Sequence, residues 1–328
     1  VKFLVTGCAG FIGHAVSMAL LQAGHRVVGV DSLNAYYSVT LKRLRLAKLL
    51  KSPVFEFHQL DLAAPDVLME LPGRAEIDQV IHLAAQAGVR HSMDNPFPYV
   101  TSNVVGHLSV LEFCRRMPRR PKLIYASSSS VYGFSAQSVL AEDDVAGPPA
   151  SLYAVTKQAD ELMSQAYSSL YGIEQTGLRF FTVYGPWGRP DMAYWIFTRK
   201  ALAGEPLEVF NYGELERDFT YIDDAVDGVM SVALGAAKST EQAELHRIYN
   251  LGSGRAEPLQ NLVNAVATAT DTDVQVEHHP HQPGDVKRTC ADISKMQADY
   301  GYTPKIGLNE GISRFVAWYK AEGELATS

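Results

Sequence analysis

The chain of 328 residues carries a formal charge of -7 and 47% hydrophobic side chains, the balance of a globular protein with a substantial core and a smaller lobe. That acidic balance provides no basic field for nucleic acid or an anionic membrane, and no apolar run approaches spanning length. The three cysteines, Cys8, Cys114 and Cys290, lack CxxC spacing and fit a reducing cytoplasm better than a disulfide framework or a metal centre.

Residues 2–6 predict a first strand, 11–23 a helix, and 26–30 a second strand closing at Asp31. The N-terminal segment runs straight into a glycine-rich loop, with no cleavable signal pattern. In that loop Gly7 permits a tight turn, Gly10 lets backbone amides approach a pyrophosphate, and Gly13 lets the helix pack on the sheet. The spacing predicts a dinucleotide anion at the helix N-terminus, beside Gly7, Gly10, Phe11, Ile12 and Gly13. Asp31 lies 18 residues beyond Gly13, where a carboxylate accepts bonds from both adenosine ribose hydroxyls. A 2′-phosphate would meet its negative charge, so the expected cofactor is NAD rather than NADP.

Residues 35–51 predict a helix at the edge of this unit, and further strands are expected at 54–58, 79–83 and 122–126. Alternating strands and helices require a mostly parallel sheet, because each crossover must pass over a sheet face. The expected fold is therefore α/β, a Rossmann-like doubly wound parallel sheet with a smaller C-terminal substrate-binding lobe. Asp61 follows the third strand and is placed to bind the adenine amine, with Leu62 beside it. After His82, read as a buried core residue, Leu83, Ala84 and Ala85 are expected to line a passage for a flat cofactor.

The run Ser127-Ser128-Ser129-Ser130 closes the strand at 122–126, on the edge where ligands of a doubly wound sheet bind. Residues 151–171 have helical periodicity with Gly172 as the stop, and on that helix Tyr153 and Lys157 share a face one turn apart. An ammonium beside the phenol favours the phenolate, and lysine also reaches a nicotinamide ribose, so the pair predicts reversible proton transfer. A strand follows at 174–181. Beyond Pro186, prolines and glycines break the chain into short elements, giving an expected cofactor domain at 1–185 and a nucleotide-sugar lobe at 186–328, with some segments returning to the main sheet. His278, His279 and His281 read as a surface loop without a metal, and residues 322–328 as a frayed tail.

These motifs, together with Arg179-Phe180-Phe181-Thr182-Val183-Tyr184-Gly185-Pro186-Trp187-Gly188-Arg189-Pro190 and Arg217-Asp218-Phe219-Thr220-Tyr221, resemble the extended short-chain dehydrogenase/reductase family. The similarity spans nearly the whole chain, lies within the nucleotide-sugar epimerases, and is strongest to the UDP-glucuronate 4-epimerase group. It implies retained NAD and C4 inversion through a transient 4-keto sugar, with Ser128 and Tyr153 at the substrate O4 and Lys157 at the nicotinamide ribose. It further implies that Ser129, Ser130 and Thr182 hold a glucuronate carboxylate, that Phe180 borders the nicotinamide, and that Asn103 tunes the surroundings of Tyr153 at the cofactor. Arg189, Arg217 and Arg288 become candidates for the substrate anions, Arg217 for the diphosphate. Asp191 and Glu216 read more simply as partners of these arginines than as acids. A homodimer through helices at 95–114 and 151–171 is also implied. UDP-glucuronate decarboxylation, UDP-galactose 4-epimerisation and a non-catalytic NAD-binding role remain as alternatives at this point.

Overall fold

The β-branched and aliphatic runs of the first half form the layer on which everything else is hung. The computed structural model describes residues 1–238 and 244–323. Its strands are β1 Lys2–Thr6, β2 Arg26–Asp31, β3 Phe55–Gln59, β4 Gln79–His82, β5 Lys122–Ser128, β6 Gln175–Phe180, β7 Thr182–Tyr184, β8 Leu207–Val209, β9 Glu216–Tyr221, β10 His246–Leu251, β11 Ala256–Pro258 and β12 Val276–His278. Seven of them form one parallel sheet in the order β10-β6-β5-β4-β1-β2-β3. The order reverses between β1 and β4, which opens a crevice at the carboxyl edge between them.

β1 is buried throughout, as a central parallel strand covered on both faces must be. The helices Phe11–Gln22, Gly106–Arg116 and Leu152–Tyr171 cover the sheet. Ser151 caps the last of these by accepting from the Ala154 amide at 3.2 Å, and Gly172 ends it at φ +65°. The expected edge helix spans Val39–Leu49 and is fastened by one buried guanidinium. Arg45 donates to the carbonyls of Trp187, Gly188 and Ala9 and to the Tyr37 hydroxyl, at 2.6–3.1 Å. It thereby ties the edge helix, the glycine loop and the segment after β7 into one wall.

Two small sheets follow, β11-β9-β7, to which β7 contributes from before residue 185, and β12-β8, while β10 returns to the main sheet beside β6. Where one helix was expected at 95–114, the structure has short helices His91–Asp94 and Phe97–Tyr99, a π-helical turn Val100–Val105, and Gly106–Arg116. Pro96 and Pro98 account for the broken start, since neither has an amide to donate. Glu322 and Gly323 close a π-helical turn, Tyr319–Gly323, and the rest of the expected tail lies outside the described residues. Among the described residues, no helix is long and apolar enough to cross a membrane.

Candidate active site

The crevice at the switch point is a cleft whose floor is backbone at one end and hydroxyls at the other. Gly7 sits at φ +69°, and a Cβ there would stand 2.8 Å from the Ala84 amide. A Cβ on Gly13 would stand 2.0 Å from the Gly7 carbonyl oxygen, so helix and loop touch only because both residues lack side chains. The Phe11–Gln22 helix starts at Gly10 with no side-chain cap and no acid in its first turn. Its first turn lines the cleft; the Gly10 amide donates to the Gly7 carbonyl at 2.9 Å, while those of Phe11, Ile12 and Gly13 and the positive end of the helix dipole are left to an anion.

Asp31 ends β2 on the same wall. Its Oδ2 accepts from the Ala9 amide at 3.0 Å and its Oδ1 from Leu33 at 2.8 Å, which fixes the carboxylate while leaving lone pairs toward the cleft. Asp61 lines the cleft too, its Oδ1 accepting a hydrogen bond from the Ala63 N–H at 3.0 Å, with Leu62, Leu83, Ala84 and Ala85 forming an apolar slot beside it. These groups fit NAD: amides for a pyrophosphate, a carboxylate for a ribose diol, and a narrow apolar passage that a Cβ on Gly7 would block.

At the other end, the register pairs Ser127 with Arg179 and Ser128 with Phe180, which brings the serine run and Phe180 to the same edge. Ser128 is buried and its Oγ accepts from the Ser130 amide at 3.1 Å. Ser129, Ser130, Thr182 and Tyr153 line the same walls. Tyr153 stands edge-on to Tyr99, with centroids 6.1 Å apart. Behind it Lys157 is buried, donating to the Ala126 carbonyl at 2.9 Å and to Asp160 at 3.0 Å. Burial opposes the charge on Lys157, but the Asp160 carboxylate and Tyr153 outweigh it, and the net effect raises its pKa. Burial pushes the Asp160 carboxyl up to about 6, against the pull of Lys157.

His82 is the buried core residue expected, hydrogen-bonded to Thr6 Oγ1 at 2.7 Å and stacked on His107. Burial, then His107 and Lys157, hold its pKa well below the ordinary imidazole value. No group of three or more His, Cys, Asp or Glu side chains that could hold a metal exists among the described residues.

Three expected residues are not on these walls. Asn103 is buried behind them, where its side chain accepts from the Gln86 amide at 2.8 Å and donates to the Gln86 carbonyl and Thr156 Oγ1 at 3.1 and 2.9 Å. It clamps the loop after β4 to the Tyr153 helix, so its link to the site is mechanical. Arg288 pairs with Glu216 and donates to the Ser138 carbonyl at 3.0 Å, which turns it to the surface. Arg217 donates to the carbonyls of Glu216 and Lys287, with Asp285 and Arg90 as its charged neighbours. Burial and then Arg90 lower its pKa against Asp285. Arg189 does line the cleft, with its guanidinium on Asp191 at 2.5 and 3.1 Å.

Sequence reasoning also missed several wall residues. Lys42 lines the cleft near Asp31, donating to Asn34 at 2.8 Å, and burial brings its pKa down to about 8. Gln86 is buried on the wall with an Nε2 that has no protein partner, an orphan donor suited to a bound cofactor. Tyr36 reaches across the cleft mouth to Asp191 at 3.3 Å. Asp160, behind the wall, had a local signal in its place three residues after Lys157 on one helix; Lys42 comes from the edge helix, and Gln86 and Tyr36 come from loops.

The family model described as NAD dependent epimerase/dehydratase family matches residues 3–252. The chain is similar to UDP-glucuronate 4-epimerase 2 of Arabidopsis thaliana, 44% identical over 97% of this chain and 76% of the plant protein. It is also similar to protein CapI of Staphylococcus aureus, 40% identical over 97% of this chain and 98% of that protein. Among solved structures, UDP-glucuronic acid 4-epimerase from Bacillus cereus in complex with UDP-glucuronic acid and NAD superposes with a TM-score of 0.90. That match is 34% identical and covers 98% of this chain and 99% of the other.

Proposed function

The chain belongs to the NAD dependent epimerase/dehydratase family, and on that premise we propose that it inverts C4 of UDP-glucuronate to give UDP-galacturonate. The observation that carries this reading is a proton-transfer set, Ser128, Tyr153 and Lys157, sharing one cleft wall with Ser129, Ser130 and Thr182. Neutral hydroxyls suit a carboxylate that must be held but not expelled: C4 oxidation makes glucuronate a β-keto acid, and a strong cation aligned on it would favour loss of carbon dioxide.

In the proposed cycle Tyr153 takes the O4 proton as the 4-keto sugar forms and returns it after the sugar turns. Ser128 orients O4, and Lys157 supplies the charge that favours the phenolate. NAD, when bound, would supply a reversible acceptor for the C4 hydride, so no external oxidant would be consumed. Gly7 to Gly13, Asp31, Asp61, Leu62 and the Leu83 to Ala85 slot would hold it, with Lys157 at its ribose and Phe180 against the nicotinamide. Arg189, on the cleft wall, is proposed for the substrate anions; Arg217, off that wall, is proposed for the diphosphate on the family resemblance alone.

Residues 1–185 then serve mainly the cofactor and 186–328 mainly the nucleotide sugar. The exposed apolar side chains Val155, Leu162 and Leu170 on one helix, with Val100 and Leu108 on its neighbour, support a homodimer through these helices. Three unpaired buried cysteines support a reducing cytoplasm. Incubation with UDP-glucuronate and identification of the nucleotide-sugar products tests the reading. UDP-galacturonate is expected; a UDP-pentose with released carbon dioxide makes the chain a decarboxylase, preference for UDP-glucose removes the carboxylate assignment, and no conversion leaves a binding protein.

A further inference from the structure

The Tyr153 helix carries a second buried charge that the proposed mechanism does not use. Asp160 stands one turn beyond Lys157, and both side chains are almost fully buried, with 1% and 3% of their surface exposed. Asp160 Oδ2 accepts from Lys157 Nζ at 3.0 Å, while Oδ1 has no partner. Lys157 is thus held from two sides, by Asp160 and by the Ala126 carbonyl, and one of its three N–H bonds is left for the cleft.

The other titratable groups around the pair do not cancel the lysine. Burial and the nearby Lys157 charge depress His107, on the neighbouring helix, to about 3, and His82 on β4 is held neutral in the same way. Glu161, next in sequence, is claimed by the Arg179 guanidinium of β6 at 2.9 Å twice over, and also accepts from Ser127 at 2.5 Å. Tyr125 on β5 donates toward or accepts from His246 of β10 at 2.8 Å, and burial raises the phenol while it lowers that imidazole. Asp160 is the anion left in contact with Lys157.

We propose that Asp160 is a positioning residue that fixes the Lys157 ammonium beneath Tyr153 and offsets its charge, so that the pair rather than the lysine alone sets the pH at which Tyr153 becomes a base. Lys157 and Tyr153 stand four residues apart on one helix and both line the cleft, so a charge on one acts on the other. A full ammonium favours the phenolate; an adjacent carboxylate returns part of that effect. The neutral amide in Asp160→Asn keeps an acceptor for Lys157 Nζ and removes the negative charge. This inference rests on the epimerase reading for its turnover measurement, but not for its charge measurement.

The experiment uses the NAD-loaded protein. In Asp160→Asn the rising limb of turnover against pH moves to lower pH by about one unit, the size expected of one charge several ångströms away in a partly screened interior. Phenolate absorbance, taken as the difference from the matching Tyr153→Phe protein, moves in the same direction. Asp160→Ala loses the acceptor as well, so turnover falls about tenfold with KM nearly unchanged, and Asp160→Glu restores part of it. Superimposable phenolate titrations of wild type and Asp160→Asn would overturn the proposal. If wild-type protein does not turn over UDP-glucuronate while the phenolate titration still moves, the epimerase reading fails and the charge coupling stands. Loss of retained NAD in Asp160→Asn, with no shift in the titration, makes Asp160 a structural residue only and also overturns it.

Discussion

The two ends of the cleft are built from different parts of the chain. At the dinucleotide end the main chain makes the site: three glycines, an uncapped helix start and small residues after β4 leave bare amides and a thin passage. At the sugar end, side chains make it: hydroxyls from β5, the turn after it and β7, a phenol and an ammonium from one helix, and the Arg189 guanidinium, with Lys157 held by Asp160 and Arg189 by Asp191. A backbone site tolerates no added atom, whereas a side-chain site tolerates changes of size and punishes changes of charge or protonation. The contrast teaches that binding and chemistry fail separately in this molecule.

Four measurements sharpen or break that contrast. Tyr153→Phe has the largest expected effect: turnover falls about 1,000-fold while the protein keeps its NAD, read by product analysis and by bound-cofactor absorbance. Gly13→Ala comes next and acts in the opposite sense. Its Cβ would lie 2.0 Å from the Gly7 carbonyl, so the protein is purified without cofactor and loses about 3 kcal/mol in urea unfolding. Normal NAD content in that variant would remove the backbone account of the first end. Thr182→Val deletes one hydroxyl from the sugar end; KM for UDP-glucuronate rises about tenfold and KM for UDP-glucose stays put, as for one hydrogen bond to a charged group. Equal changes for both substrates would detach Thr182 from the carboxylate. Arg288→Ala is the smallest, because its pair with Glu216 is exposed at 42% and 37%: a stability change within about 0.5 kcal/mol and KM within twofold are expected. A tenfold rise in KM would return Arg288 to the substrate.

The sequence made the first end legible because its determinants are local. Glycine spacing, a following helix and a carboxylate at the end of β2 are all set within 31 residues, and the structure places each on one wall. The serine run and the Tyr153 and Lys157 pair were legible for the same reason: strand end and helix period put them at the carboxyl edge. Asp160 shares that helix and its i,i+3 place beside Lys157 is as local as the pair itself, but its role was missed because burial, not spacing, gives the carboxylate its meaning. The arginines were legible as cations and not as contacts, since Arg189, Arg217 and Arg288 differ by the neighbours that tertiary folding supplies.

By itself, then, the sequence determined the parallel doubly wound sheet, the glycine-lined cradle and the placing of Tyr153 and Lys157 on one helix face, because alternation, glycine geometry and helical period act over a few residues. Only the tertiary structure decided that Asn103 clamps rather than lines the cleft, that Arg288 turns to Glu216, and that Arg45 binds three distant segments into one wall. Those outcomes depend on which charged and polar groups meet after the chain has crossed the sheet several times, and a buried ion or amide takes the partner that leaves the fewest groups unsatisfied.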